Sequence, residues 1–210
     1  MRTITLDEVN GFDKAYRTNL INCLSGIKGI NLIGTKNAKG QTNLAIFNSV
    51  IHLGAHPPLM GFIQRPNDVE RHTFENIQKT SFFTINAVTE AIHKQAHQTA
   101  ARYNQSESEF DEVSLESSYI NDFYAPFVTK SPLKVGLECV DIIPIPINNT
   151  QLVVGKVKLI QLDEEFLMSD GFLSLHDQNI IAGTGLDTYL STQEIGRYSY
   201  AKPDRPIEKL

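Results

Sequence analysis

Polar side chains cluster in one short stretch of the sequence. Asn43, Asn48 and Ser49 follow a turn at residues 37–40, in a segment whose apolar and β-branched residues predict a strand. Amide and hydroxyl groups on a strand, together with its backbone amides, can bind the polar edge of a heteroaromatic ring. A half-buried strand whose Asn and Ser side chains face solvent has the same composition. The residues alone leave both interpretations open.

A second group of residues suits an anion. Arg65 precedes a predicted helix over residues 72–79, and Thr73 lies near the start of that helix. Backbone amides at a helix start, with an arginine beside them, form an anion site. A plain helix cap next to a solvated arginine is the simpler alternative, and caps are far commoner than phosphate sites.

Familiar catalytic and nucleotide-binding motifs are absent from the sequence. It contains no GxGxxG, no GxxxxGK[ST] and no GxSxG. His93 and His97 share one face of a predicted helix, but no third ligand lies near them in sequence, so we expect no metal site. A protein whose chemistry is done by a bound cofactor needs no nucleophile of its own.

The elements that must position these residues are mostly strands. We predict a first helix over residues 13–24, capped by Asp13, and a turn at residues 65–68. We also predict a helix over residues 89–103 capped by Thr89, and then a surface excursion through residue 118. The predicted strands cover residues 30–35, 41–52, 59–64, 81–88, 133–143 and 151–162.

About six strands with inserted helices predict a mainly β protein built as a closed or nearly closed antiparallel barrel. Helices do not alternate regularly with strands, which disfavours a parallel doubly wound fold. The 210 residues fit one domain over residues 1–210. Its expected additions are an N-terminal helical part (1–28), a surface insertion (104–124) and a C-terminal extension (176–210).

Charge and composition exclude several partners. The net charge of -5 gives no basic excess for nucleic acid. No apolar run is long enough to predict a membrane span. Cys23 and Cys139 are far apart in sequence, and two free thiols suit a cytoplasmic location.

An ordered series of short motifs resembles the flavin reductase-like, FMN-binding split-barrel family. The series lies between residues 29 and 88. Its order and spacing together indicate the family more specifically than any single motif does. Its members are residues 29–35, Gly40, Asn43, Ala45, Asn48, Ser49, residues 57–62, Arg65, Pro66, Thr73, Asn76, Ile77 and residues 82–86.

The resemblance implies a split β-barrel, antiparallel and Greek-key-like, that binds FMN non-covalently. It implies that Asn43, Ala45, Asn48 and Ser49 contact the isoalloxazine ring, and that Thr35, on the neighbouring strand, is a further cofactor-binding residue. It places Arg65 and Thr73 near the ribityl phosphate. The sequence around Arg197 resembles the tail of larger family members, so Arg197 is expected to meet a substrate or the nicotinamide donor.

The function implied by the resemblance is a flavin reductase-type oxidoreductase. NADH or NADPH would reduce the bound flavin, and the electrons would pass to free flavin, to a small molecule or to a partner oxygenase. The alternative is an FMN-binding electron carrier without substrate turnover of its own. A homodimer is expected from the resemblance alone.

Overall fold

The largest element of the fold is a seven-stranded sheet in which all neighbouring strands are antiparallel. The computed structural model describes residues 1–66 and 69–210. Its strands are β1 (Lys28–Gly29), β2 (Asn31–Lys36), β3 (Thr42–Phe47), β4 (Val50–Ala55), β5 (Pro58–Gln64), β6 (Phe82–Ala87), β7 (Ser117–Ser118), β8 (Phe127–Val128), β9 (Lys134–Ile145), β10 (Thr150–Gln161), β11 (Ala182–Thr184) and β12 (Thr188–Leu190). The spatial order in the main sheet is β3-β2-β6-β9-β10-β5-β4. Two small sheets, β1-β11-β12 and β7-β8, complete the β structure.

Short helices occupy the connections between strands. They are α1 (Leu6–Gly11), α2 (Lys14–Leu24), α3 (His72–Thr80), α4 (His93–Gln98), α5 (Glu109–Glu112) and a 3-10 helix (Glu164–Phe166). The predicted cap of α2 is confirmed, because the Asp13 carboxylate accepts a hydrogen bond from the Tyr16 amide at 3.0 Å. The predicted turn at residues 65–68 includes Asn67 and Asp68, which lie outside the described residues.

Apolar side chains cover both faces of strand β2. On β2, Leu32 packs into one buried cluster with Leu44, Val88 and Phe110, whereas Ile33 packs into a second cluster. Neighbouring residues of a strand point to opposite faces, so β2 is buried on both sides. This burial fixes β2, which pairs with the edge strand β3.

The prediction of a single strand over residues 41–52 is wrong, because the structure has two strands there. It divides at Asn48 and Ser49, so that β3 pairs with β2 at one edge of the sheet and β4 pairs with β5 at the other. The local composition is strand-like throughout, and only the long-range pairing reveals that the chain changes partners. The two edges of the sheet are therefore joined by only two residues.

The helix predicted over residues 89–103 is also shorter in the structure. Thr89 does not cap it, since its backbone forms a bridge with Ile180, and α4 begins only at His93. A tertiary pairing here overrides the helical propensity of an Ala- and Gln-rich segment.

The segment predicted to be a surface excursion contributes to the core. Glu109 and Phe110 of α5 are buried, as are Val113 and Leu115 after it. The apolar side chains pack against Leu44 and Leu32. Acidic neighbours such as Asp111 and Glu112 dominate the composition and hide this apolar spacing.

Candidate functional site

A cleft of about 780 Å³ opens beside strand β3 and the start of helix α3. Its other walls come from residues 99–103, from the β11–β12 turn and from the end of β5. A volume of this size lies within the usual range for small-molecule and cofactor sites.

Six of the seven residues predicted to bind the cofactor line this one cleft. The six are Asn43, Ala45, Asn48, Ser49, Arg65 and Thr73. They come from β3, from the junction between β3 and β4, from the residue after β5 and from the first turn of α3. These elements are separated in sequence, and the fold brings their six predicted residues together in one cleft.

Thr35, the seventh residue, lies behind the cleft wall and has no exposed surface. Its Oγ1 accepts hydrogen bonds from Asn43 Nδ2 at 3.3 Å and from Asn76 Nδ2 at 3.0 Å. Asn43 Nδ2 also donates to Thr73 Oγ1 at 2.9 Å. This buried network fixes the orientation of the Asn43 amide and leaves the hydroxyl hydrogen of Thr73 free to donate elsewhere.

Asn48 and Ser49 both anchor the junction between β3 and β4. Asn48 Nδ2 donates to the backbone oxygen of Gly185 at 2.9 Å, which ties the junction to the β11–β12 turn. Ser49 Oγ accepts from Ile63 N at 3.3 Å and donates to Ile63 O at 3.2 Å. Asn48 and Ser49 therefore stabilise the junction and also line the cleft.

Three arginines and three acidic residues, Glu70, Glu109 and Asp187, line the cleft. Arg65, Arg71 and Arg102 line the cleft, and within residues 1–66 and 69–210 none of them forms an ion pair. The helix begins without a side-chain cap for its first backbone amides. Guanidinium groups without an ion pair and the backbone amides of an uncapped helix start are donors that suit an anion.

The sequence analysis did not identify two titratable residues that line the cleft. The His72 ring lines the cleft, and its Nε2 atom is buried without a hydrogen-bond partner among the described residues. The Glu109 carboxylate reaches the cleft from α5 and accepts a hydrogen bond from Leu44 N at 2.9 Å. Burial raises the pKa of Glu109, although the Leu44 amide and the His72 ring favour its charged form.

The position of His72 next to Thr73 was a usable sequence signal, because the two share the first turn of α3. No such signal existed for Glu109, since its hydrogen-bond partner is 65 residues away.

Both histidines of α4 pack against the Tyr189 ring. His97 Nδ1 lies 2.7 Å from the hydroxyl of Tyr189, which also lines the cleft. Burial raises the pKa of Tyr189. Within the described part of the chain, no group of three or more His, Cys, Asp or Glu side chains is arranged to hold a metal.

Arg197 lies outside the wall of the cleft. Its guanidinium forms an ion pair with Asp170 and stacks on the Phe172 ring, 4.2 Å from the ring centroid. The hydrogen bond from Arg197 holds the pKa of Asp170 below its ordinary value. Within this chain, Arg197 is therefore held by the segment that follows the 3-10 helix.

The chain and its fold belong to a recognised family of proteins. The model of the flavin reductase like domain matches residues 26–179, and the chain belongs to this family. The resemblance found in the motif series is thereby confirmed.

Three solved structures with similar folds were compared with the chain. A candidate flavin reductase with a split barrel domain from Shewanella frigidimarina NCIMB 400 is 44% identical, with a TM-score of 0.93 over 96% of this chain and 100% of that one. Nitrilotriacetate monooxygenase component B from Bacillus cereus is 18% identical, with a TM-score of 0.80 over 92% and 96% of the two chains. An FMN-binding protein from Thermus thermophilus, solved with cyclohexenone, is 16% identical, with a TM-score of 0.68 over 84% and 90%.

These similarities confirm the predicted fold, a mainly β split barrel with helical insertions. The class is that of the flavin reductase-like oxidoreductases. In the part of the chain that the structure describes, no helix has the length and apolar character needed to cross a membrane.

Proposed function

We propose that the protein binds FMN in the cleft and acts as a flavin reductase-type oxidoreductase. NADH or NADPH is the proposed electron donor, and free flavin or another small molecule is the proposed acceptor. The observation that carries the proposal is the convergence of Asn43, Ala45, Asn48, Ser49, Arg65 and Thr73 on one cleft. Membership of the flavin reductase-like family supports it independently.

The donors at the start of α3 fit a phosphate ester. Arg65 supplies positive charge, and Thr73 has a hydroxyl hydrogen left to donate, because its oxygen already accepts from Asn43. His72 adds a buried ring nitrogen that lacks a partner among the described residues. The chemistry of these groups suits the ribityl phosphate of FMN.

Strand β3 and its junction with β4 suit the flavin ring. A bound flavin supplies the hydride and electron chemistry, while the protein orients the ring and excludes water. Asn43 and Asn48 offer amide groups whose positions are fixed by hydrogen bonds, and Ala45 is too small to obstruct a ring. We assign Thr35 to holding Asn43 and Asn76, without contact to the cofactor.

A homodimer is the assembly that best accounts for an apolar outer face of the sheet. Ile51 and Leu53 of β4 and Ile143 of β9 are each about two-fifths exposed. A Cβ on Gly61 would lie 3.0 Å from Leu53 Cδ1 and 3.1 Å from Leu152 Cδ1, so both leucines lie on the face above this glycine.

The same face reaches the cleft. Strand register places Ile51 opposite Gly61, and Leu152 between Ile63 and Ile143. Ile63 also lines the cleft. A second copy covering this face would therefore border the flavin.

A partner oxygenase is a further proposed recipient of the electrons. The Bacillus cereus structure is named as one component of a monooxygenase. A reductase that releases reduced flavin would supply such a partner without a permanent complex. Cys23 and Cys139 are unpaired thiols, which supports a location in the reducing cytoplasm.

The test is an absorption spectrum of the purified protein, before and after reconstitution with FMN, followed by anaerobic addition of NADH or NADPH. We expect bound flavin that at least one dinucleotide bleaches. A protein that retains no flavin after reconstitution would contradict the whole proposal. A flavin that neither dinucleotide bleaches would keep FMN binding and remove the proposed donor.

A second assay separates the reductase from an electron carrier. Steady-state oxidation of the dinucleotide is measured with and without added FMN. Turnover that depends on free FMN supports the reductase. Reduction of the bound flavin without turnover supports the carrier.

A further inference from the structure

His72 presents an unsatisfied buried nitrogen in the cleft, at the start of α3. Its side chain is only 16% exposed, and Nε2 has no hydrogen-bond partner among the described residues. The nearest acidic oxygen is Glu70 Oε2 at 3.6 Å, which is too long for a hydrogen bond. Buried polar atoms in native proteins are nearly always paired, so an orphaned one at a cleft points to a missing ligand.

The charged groups around His72 come from the segment just before α3 and from α5. Glu70 lies just before α3 and its side chain is 84% exposed. Glu109 approaches from α5 and is buried, while Arg71 precedes His72 directly and donates through Nε to Pro66 O at 3.2 Å. Of the two carboxylates, Glu70 is the less packed and therefore the one that a ligand can displace.

We propose that His72 Nε2 donates a hydrogen bond to the phosphate of the bound flavin, and that Glu70 is the side chain which the phosphate displaces. The inference rests on the proposed FMN function and adds a residue that makes the site selective for phosphorylated flavins. Thr73, the next residue of the same helix turn, already offers its hydroxyl to the same end of the cleft. A hydrogen bond to a charged group contributes more than a neutral one.

Riboflavin provides the internal control, because it has the same ring and no phosphate. Dissociation constants for FMN and riboflavin are measured by fluorescence titration of the wild type, His72→Leu and His72→Gln. We expect His72→Leu to weaken FMN binding by about 10- to 100-fold, with riboflavin binding unchanged. His72→Gln retains a donor and should lose less. His93→Leu, on α4 outside the cleft wall, is the matched control.

The outcomes separate the two proposals. If the wild type binds neither flavin, the FMN function and the role of His72 both fail. If the wild type binds FMN and His72→Leu binds it equally well, only the role of His72 is overturned. Equal weakening of FMN and riboflavin would also overturn it, because that result indicates damage to the cleft and no phosphate contact.

A double-mutant cycle tests the displacement of Glu70. Glu70→Ala should tighten FMN binding by about 2- to 5-fold, since it removes the acceptor that competes for Nε2. In the His72→Leu background this gain should vanish. A gain of the same size in both backgrounds would contradict displacement, because it would reflect only the loss of a negative charge near the phosphate.

Discussion

Asn43 Nδ2 donates a hydrogen bond to Thr73 Oγ1 at 2.9 Å, across 30 residues of sequence. The bond joins the strand proposed to contact the flavin ring to the helix turn proposed to contact its phosphate. Behind both, Thr35 Oγ1 accepts from Asn43 and Asn76. The two ends of the candidate site are therefore held in register by one buried polar network.

The Thr35→Val variant tests this network. Valine has nearly the shape of threonine but accepts no hydrogen bond, so two buried amide N–H groups lose their partner. We expect a loss in the free energy of unfolding of about 1–3 kcal/mol for each of them, measured by urea denaturation. Thr129→Val, at an exposed position, is the control and should change little. An unchanged Thr35→Val midpoint would show that the network adds nothing to stability.

Gly34→Ala should destabilise the protein because β2 passes close to its neighbours. A Cβ at Gly34 would clash with the backbone oxygen of Pro126 and lie 2.6 Å from Thr84 Oγ1. Overpacking of this kind usually costs about 1–3 kcal/mol, read from the shift in the urea midpoint. Gly29→Ala is the matched control, since its Cβ would meet nothing closer than 3.7 Å. Equal effects of the two substitutions would count against the close packing at Gly34.

Glu109→Gln tests the effect of a buried carboxyl on stability. Burial raises the pKa of Glu109 in the folded protein above its value in the unfolded chain. The folded state then binds the extra proton, so stability falls as pH rises from the unfolded pKa through the raised folded pKa. Glutamine keeps an acceptor for Leu44 N and does not titrate.

We therefore expect the wild type to lose stability relative to Glu109→Gln as pH increases through this window. Urea midpoints of both proteins, measured at a series of pH values, provide the test. Glu112→Gln, at an exposed position on the same helix, should parallel the wild type. A difference between wild type and Glu109→Gln that is constant with pH would refute the linkage.

Leu53→Glu tests the proposed dimer. A carboxylate placed on the apolar outer face would be buried by a second copy, at a large desolvation cost. We expect a shift from dimer to monomer in sedimentation velocity, with the monomer still folded by circular dichroism. Thr129→Glu adds the same charge at another exposed position and should leave the dimer intact. A wild type that sediments as a monomer would itself reject the assembly.

Local patterns predicted much of the fold. The strands β2, β5, β6, β9 and β10 and the helices α2 and α3 follow from apolar periodicity and from turn and cap residues, all of which act within a few positions. The errors came from long-range contacts. The division at Asn48 and Ser49 depends on the choice between β2 and β5 as partner, and the late start of α4 depends on the pairing of Thr89 with Ile180.

The candidate site was predictable where it is built from a motif series. The family resemblance identifies four of its residues by their spacing in the sequence: Asn43, Ser49, Arg65 and Thr73. The structure brings them to one cleft. Glu109 was not predictable, because its segment is acidic and its contact with Leu44 N joins distant parts of the chain. Thr35 was identified as part of the site, but its burial and its two amide donors become visible only in the folded protein.

The two-residue connection between β3 and β4 has a consequence for the life of the protein in the cell. It joins the first and last strands of the main sheet, and it lines the cleft. A ligand bound in the cleft would contact β3 and this connection, so its binding free energy would oppose the separation of the two edges. In chains without the ligand, the edge strands would open more often. Their amide hydrogens would then exchange faster, and proteases would cleave them first. Supply of the cofactor would thereby set how long each copy survives.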